Sequence, residues 1–187
     1  MSYKIAIASG KGGTGKTTIA VNLFNHLRSH SESTVQLVDC DVEEPNDLIF
    51  FPETKNAKQL PVNQVVPQIN NKKCTYCRKC VDYCEFNAIV VIPPAQFAEV
   101  NQSLCHSCGA CEVACNDQAI NEVTVPIGEV NIFLAEDGSR ISEGRLKIGS
   151  AMQTLLIKEL KRSIPNDTDI IILDSPPGTS CPVVETV

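Results

Sequence analysis

The chain has 187 residues, 43% of them hydrophobic, and its sixteen Lys/Arg against twenty-two Asp/Glu give a formal net charge of −6. That apolar fraction suffices for an ordinary core, and no run approaches the roughly 18 apolar residues of a membrane span. The acidic balance argues against a nucleic-acid partner, which needs a positive field.

The first predicted element is a strand, Tyr3 to Ser9, apolar enough to be buried on both faces of a parallel sheet. With no signal peptide ahead of it, a cytoplasmic location is expected. The strand delivers Gly10-Lys11-Gly12-Gly13-Thr14-Gly15-Lys16-Thr17-Thr18, a complete match to G-x-x-x-x-G-K-[ST]. Such a loop presents a row of free backbone N–H groups, with a helix dipole behind them, to a polyphosphate. Ile19, Ala20, Leu23 and Leu27 recur at helical spacing, which predicts a helix from Gly15 to about Ser29.

Thr34 to Val38 reads as the second strand of a βαβ unit and ends in Asp39-Cys40-Asp41. Ligands of such sheets gather at the carboxyl ends of the strands, beside the phosphate loop. After Pro45 come a short apolar run, Asp47 to Phe51, and an expected edge strand at Val62 to Ile69. Further on, Glu129–Phe133 and Arg140–Lys147 bracket the turn Glu136-Asp137-Gly138 as a hairpin. Met152, Leu155, Leu156 and Leu160 form a helical stripe for core packing. The apolar strand Asp169–Leu173 then delivers Asp174-Ser175-Pro176-Pro177-Gly178. A carboxylate at the end of such a strand supports Mg²⁺ through water. A sheet that has just brought this strand to the site would need further strands, so the chain is expected to be part of a longer protein.

Ten cysteines are far above usage in a reducing compartment, and eight of them fall between positions 74 and 115. Cys74-x2-Cys77-x2-Cys80-x3-Cys84 recurs as Cys105-x2-Cys108-x2-Cys111-x3-Cys115, each member shifted by 31 residues, and Ala88-Ile89 recurs as Ala119-Ile120. This is bacterial-ferredoxin spacing, in which three cysteines wrap one [4Fe–4S] cube and the fourth reaches the other. One cluster is expected on Cys74, Cys77, Cys80 and Cys115, the second on Cys105, Cys108, Cys111 and Cys84. Zinc also takes C-x2-C pairs but leaves no role for the third cysteine of each triplet. Lys72, Lys73, Arg78 and Lys79 either offset the charge of the first cluster or form a docking surface.

Lys11 to Thr17 resembles the deviant Walker A loop of the MinD/ParA/nitrogenase-iron-protein group, Asp39-Cys40-Asp41 its switch I and Asp174 to Gly178 its switch II. With the cysteine repeat between the switches, the chain is similar to MinD-superfamily P-loop ATPases containing an inserted ferredoxin. The resemblance implies an α/β P-loop fold with a mostly parallel sheet flanked by helices. It divides the chain into a first core segment at 1–70, a 2[4Fe–4S] insert at 71–122 and a second core segment at 123–187. It also implies that Gly10 to Thr18 cradles ATP and that Lys16 holds the β and γ phosphates. Thr17 would ligate Mg²⁺, Asp39 and Asp174 would support it through water, and Asp41 would position or activate the attacking water. Lys11 would reach a partner's nucleotide across a homodimer. Glu85 and Asn116 follow Cys84 and Cys115 where ferredoxins usually place proline. Cys181 sits at the offset from Asp174 of a cluster ligand in the nitrogenase iron protein, but here it and Cys40 are read as small buried thiols.

The leading expectation is an ATPase that couples nucleotide binding and hydrolysis to electron transfer toward a protein redox partner. The alternatives are a cluster carrier that serves an acceptor protein, and a regulatory ATPase whose clusters sense redox state.

Overall fold

The structure, a computed structural model, describes residues 2–187. In chain order the elements are β1 (Tyr3–Ile7), α1 (Lys16–His30), β2 (Val35–Asp39), β3 (Lys55–Ile69), α2 (Lys79–Asp82), β4 (Ile89–Ile92) and β5 (Phe97–Val100). They continue as α3 (Ala110–Ala114), β6 (Ile120–Leu134), β7 (Arg140–Leu146), α4 (Gln153–Arg162), β8 (Ile170–Asp174) and α5 (Cys181–Thr186). Two compact units form. One runs to Val62 and includes Ile127–Ile148 and Met152–Val187; the other is Asn63–Pro126 with Gly149–Ala151. The chain leaves the first unit within β3 and returns within β6, so the expected insert bounds of 71 and 122 fall inside the second unit.

The first unit is built on a sheet of strand order β1-β8-β2-β7-β6-β3. β1, β8, β2 and β7 are parallel, and β6 turns back antiparallel to β7 around Gly138, whose φ is 83°. β2 and β8 are central and buried on both faces, with Gln36 of β2 donating to Ser142 of β7. Leu37 and Ile172 pack toward α1 with Ala20, Val21 and Phe24, while Val38, Ile171 and Leu173 pack toward α4 with Leu156, Ile157 and Leu160. Each such buried side chain contributes roughly 1.5–3 kcal/mol. Phe24 meets Phe51 edge-on at 5.2 Å, and the Arg28 guanidinium lies over both rings.

α4 approaches β7 closely enough that a Cβ at Gly144 would stand 2.7 Å from Val42 Cγ1 and 3.3 Å from Leu156 Cγ. Lys161, on the last turn of α4, donates its ammonium to the carbonyls of Glu185 and Thr186 at the end of α5.

Two expectations need correction. β1 lies at the sheet edge, paired only with β8, and Tyr3 is 76% exposed, so the strand is not buried on both faces. The strand expected from Val62 begins at Lys55. In the run after Pro45, Asp47 starts a 3₁₀ turn fully buried, while Ile49 and Phe50 are exposed.

The second unit is organised as a pseudo-two-fold. Asn70 N–H donates to Ala119 O and Asn101 N–H to Ala88 O, both at 2.7 Å, with donors and acceptors each 31 residues apart. The left-handed residues repeat at the same offset: Tyr76 and Ser107, Arg78 and Gly109, Asn87 and Gln118. α2 and α3 are equivalents, β4 corresponds to the start of β6, and the β4–β5 hairpin lies between the two copies.

Candidate functional site

The strand register creates the first site. Ile7 pairs with Asp174, Asp174 with Asp39, and Asp39 with Glu143, so β1, β8 and β2 end on one level beside the middle of β7. Because β8 runs between β1 and β2, the segment after Asp174 emerges between the loop after β1 and the loop after β2. Ser175 N–H donates to Ile7 O and Gly178 N–H to Ser9 O. Gly178, at φ 104°, makes this turn possible.

The loop from Gly10 to Thr18 is preformed. Gly13 and Gly15 take φ of 69° and 87°, and Gly15 caps α1. Ser9 Oγ donates to Lys11 O at 2.8 Å and lies 2.7 Å from Thr14 Oγ1. Lys16 Nζ folds over the loop to donate to Ser9 Oγ at 3.2 Å and Lys11 O at 3.5 Å. Lys11, Gly12, Gly13, Thr14 and Thr18 face solvent, as a cradle for an incoming polyphosphate should.

Thr17 Oγ1 donates to Asp174 Oδ2 at 2.6 Å. The other oxygen of Asp174 is buried without a hydrogen bond, as are both carboxylate oxygens of Asp47. Asp39, by contrast, accepts Asp41 N–H at Oδ1 and both Asn46 and Asp47 N–H at Oδ2. Burial raises Asp39 to about 7 and, with the charges of Asp39 and Asp174 added, Asp47 to about 9. Asp174 is also raised by burial, although Thr17 and Lys16 oppose the shift. Asp47 and Asp174 face one another, but no hydrogen bond of ordinary geometry joins them.

Buried carboxylate oxygens with no donor suit a cation. Among the described residues no three acidic, histidine or cysteine side chains converge enough to ligate one ion directly. A hydrated Mg²⁺, which keeps several of its waters, fits that arrangement. Thr17 and Asp174 would hold it, and it would neutralise charge on the phosphates.

Asp41, half-buried, is raised first by burial and then by Glu43 and Asp174. It lines a cleft of about 460 Å³ with Cys40, Glu43, Glu44, Pro176 and Pro177, between the loops that follow β2 and β8. Cys40 is fully buried and burial pushes its thiol up, as expected of a core thiol. Cys181 is exposed at the start of α5, which corrects the expectation that it is buried.

In the second unit two cavities divide the eight cysteines. Cys74, Cys77, Cys80 and Cys115 line one, with Ile69, Val91 and Ile120. Cys84, Cys105, Cys108 and Cys111 line the other, where Phe86 stacks on His106 at 3.9 Å. Backbone N–H groups already point at sulfur, Tyr76 at Cys74 and Ser107 at Cys105 (3.4 Å), Ala88 at Cys84 and Ala119 at Cys115 (3.3 Å). Burial raises the Cys80 thiol, and Cys111 to about 11. The sulfurs do not converge on a point.

Residues 5–173 match the family model described as the CobQ/CobB/MinD/ParA nucleotide binding domain. The chain belongs to that family. Among its relatives, the uncharacterized protein MJ0578 of Methanocaldococcus jannaschii is 35% identical over 98% of this chain and 63% of its own length. MJ0579 of the same organism is 29% identical over 98% of this chain and 64% of its own length. The iron-sulfur cluster carrier protein of Pyrococcus abyssi is 28% identical over 99% of this chain and 47% of its own length. The chain thus spans less than two thirds of these relatives. As a MinD/ParA-type nucleotide-binding domain it has an α/β fold with a mostly parallel central sheet. No described helix is long and apolar enough to cross a membrane.

Asp47, buried with unpartnered oxygens, is not among the candidates named from the sequence. The available signal was an aspartate leading an apolar run within reach of Asp39-Cys40-Asp41.

Proposed function

We propose that this MinD/ParA-type domain is an ATPase carrying an inserted two-cluster ferredoxin, and that it couples MgATP binding and hydrolysis to electron transfer through two [4Fe–4S] centres. The observation that carries the reading is the crossed division of the cysteines, in which each cavity takes three from one motif and the last from the other. That is the ferredoxin pattern, and the four N–H groups aimed at sulfur would stabilise the negative charge of a cluster.

At the nucleotide, Gly10 to Thr18 surrounds the phosphates with N–H groups, and Lys16 leaves Ser9 Oγ and Lys11 O to bind the β and γ oxygens. Thr17 and Asp174 hold Mg²⁺. Asp41, made more basic by burial and its acidic neighbours, orients the attacking water and takes up its proton. Lys11, exposed on the loop, reaches the nucleotide of a second subunit, so hydrolysis requires a homodimer. The loops after β2 and β8 respond to the γ-phosphate. A cytoplasmic protein of this kind passes electrons to a protein redox partner.

A second reading, a cluster carrier delivering to an acceptor protein, is favoured by the carrier from Pyrococcus abyssi that aligns along 99% of the chain. A redox-sensing regulatory ATPase is the third. Anaerobic iron and sulfide analysis, followed by the reduced-cluster EPR signal with and without MgATP, separates them. The leading reading expects about eight irons per chain and a spectrum or potential that changes with nucleotide. Cluster transfer to an apo acceptor selects the carrier. Clusters indifferent to nucleotide overturn the coupling.

A further inference from the structure

We infer that Asp47 is a third acidic residue of the cation site and, with Asp174, supports the water shell of Mg²⁺, while Asp39 organises the loop that holds it. The inference rests on the reading of the loop after β1 as an Mg-nucleotide site.

Three observations carry it. The carboxylate of Asp39 is committed to backbone: three N–H groups, from Asp41, Asn46 and Asp47, occupy its two oxygens at 2.7–3.0 Å. A carboxylate offers about four acceptor positions, so Asp39 retains little capacity for water. Its work is to tie the chain after β2 into a closed turn, and that turn starts the 3₁₀ segment with Asp47 at its head. Asp47 is the opposite case. It is 0% exposed, and neither of its oxygens accepts a hydrogen bond. Its neighbour Asp174 also keeps one buried oxygen without a donor while the other holds Thr17.

A buried carboxylate without donors costs stability unless something positive or protic is meant to arrive. Lys16, the nearest base of the loop, is turned toward Ser9 and Lys11 O. The oxygens of Asp47 and the second oxygen of Asp174, whose first holds Thr17, therefore lack protein donors, and a hydrated divalent cation would supply what the protein does not. Asp47 is a positioning residue in this scheme: it binds through water and touches neither phosphate nor the attacking water.

The test uses the full chain with Mn²⁺ as the probe, free Mn²⁺ being read by EPR in the presence of ADP. Binding of a fluorescent ADP analogue in EDTA serves as a parallel measurement. Asp47→Asn is expected to raise the Mn²⁺ dissociation constant about tenfold or more, the usual effect of removing an outer-shell partner. Affinity for the analogue in EDTA should stay at the wild-type value. Glu53→Gln, an exposed charge change on the same unit, should alter Mn²⁺ binding less than about twofold. If Asp47→Asn does not fold, Asp47→Ser replaces it with the same expectation. Wild-type Mn²⁺ affinity in the variant, or a tighter one, overturns the inference. Failure of the wild-type chain to bind the analogue at all overturns the nucleotide reading instead.

Discussion

Thr17 and Asp174, 157 residues apart in sequence, are joined by a 2.6 Å hydrogen bond that ties the first turn of α1 to the end of β8. The bond places a hydroxyl and a carboxylate from opposite parts of the chain side by side, the pair proposed above to hold the cation. Replacing Thr17 with Ala leaves both oxygens of Asp174 without a side-chain donor. The variant should lose about 1–3 kcal/mol of stability in chemical denaturation without metal. Nucleotide binding should also lose its dependence on Mg²⁺.

The buried acids set a pH dependence. Asp39 and Asp47 rise from 3.8 to about 7 and about 9, so between about 4 and those values the folded chain holds protons that the unfolded chain has released. Stability of the metal-free protein should therefore fall as pH rises from about 4 through 7 and on toward 9. Asp137, shifted downward, acts only below that window. Melting in EDTA at pH 5, 7 and 9 checks the direction; Asp47→Asn should flatten the upper part of the curve, and Mg²⁺ should do the same. A melting temperature that climbed with pH would contradict the burial of these groups.

At Gly144 the helix-to-sheet packing leaves no room for a side chain. Ala there must displace Val42 or Leu156, both in the core, at a cost of about 1–3 kcal/mol. Thermal denaturation should show the loss, with nucleotide affinity at a permissive temperature unchanged.

The crossed cysteines make a non-additive prediction. Cys84→Ser and Cys108→Ser line the same cavity, so the double variant should lose no more iron than either single one, about four atoms. Cys84→Ser with Cys77→Ser touches both cavities and should lose about eight. Iron analysis of anaerobically purified chains distinguishes this from pairing by sequence motif, in which Cys77 and Cys84 would share a cluster.

Most of the candidate site could be proposed from the sequence because the chemistry it suggests depends on spacing. The phosphate loop, Asp174 and the cysteine repeat each fix residue types at set intervals, and the left-handed residues at 76, 78, 107 and 109 follow those intervals. What was not legible depends on neighbours far along the chain. β1 is as apolar as a central strand, but within these residues it pairs with β8 alone and is exposed, because burial depends on neighbouring strands that its own residues do not report. The fate of Asp47 was hidden for the same reason: sequence shows an acid before Leu48, Ile49 and Phe50, and local polarity predicts that it faces water. The Asp39 carboxylate turns the chain so that the acid goes in and two of the apolar residues come out. The N–H groups aimed at sulfur belong to backbone, which no side-chain pattern reports.

β3 and β6 are adjacent in the sheet, and the whole cysteine-bearing stretch is an excursion between these two neighbours. For a polymer the cost of closing such an excursion rises only with the logarithm of its length, about 0.6 kcal/mol for each doubling. A gene could therefore exchange a short connection for a long one here without retuning the sheet. The length of the stretch between β3 and β6 is therefore only weakly constrained by the entropy of closing it.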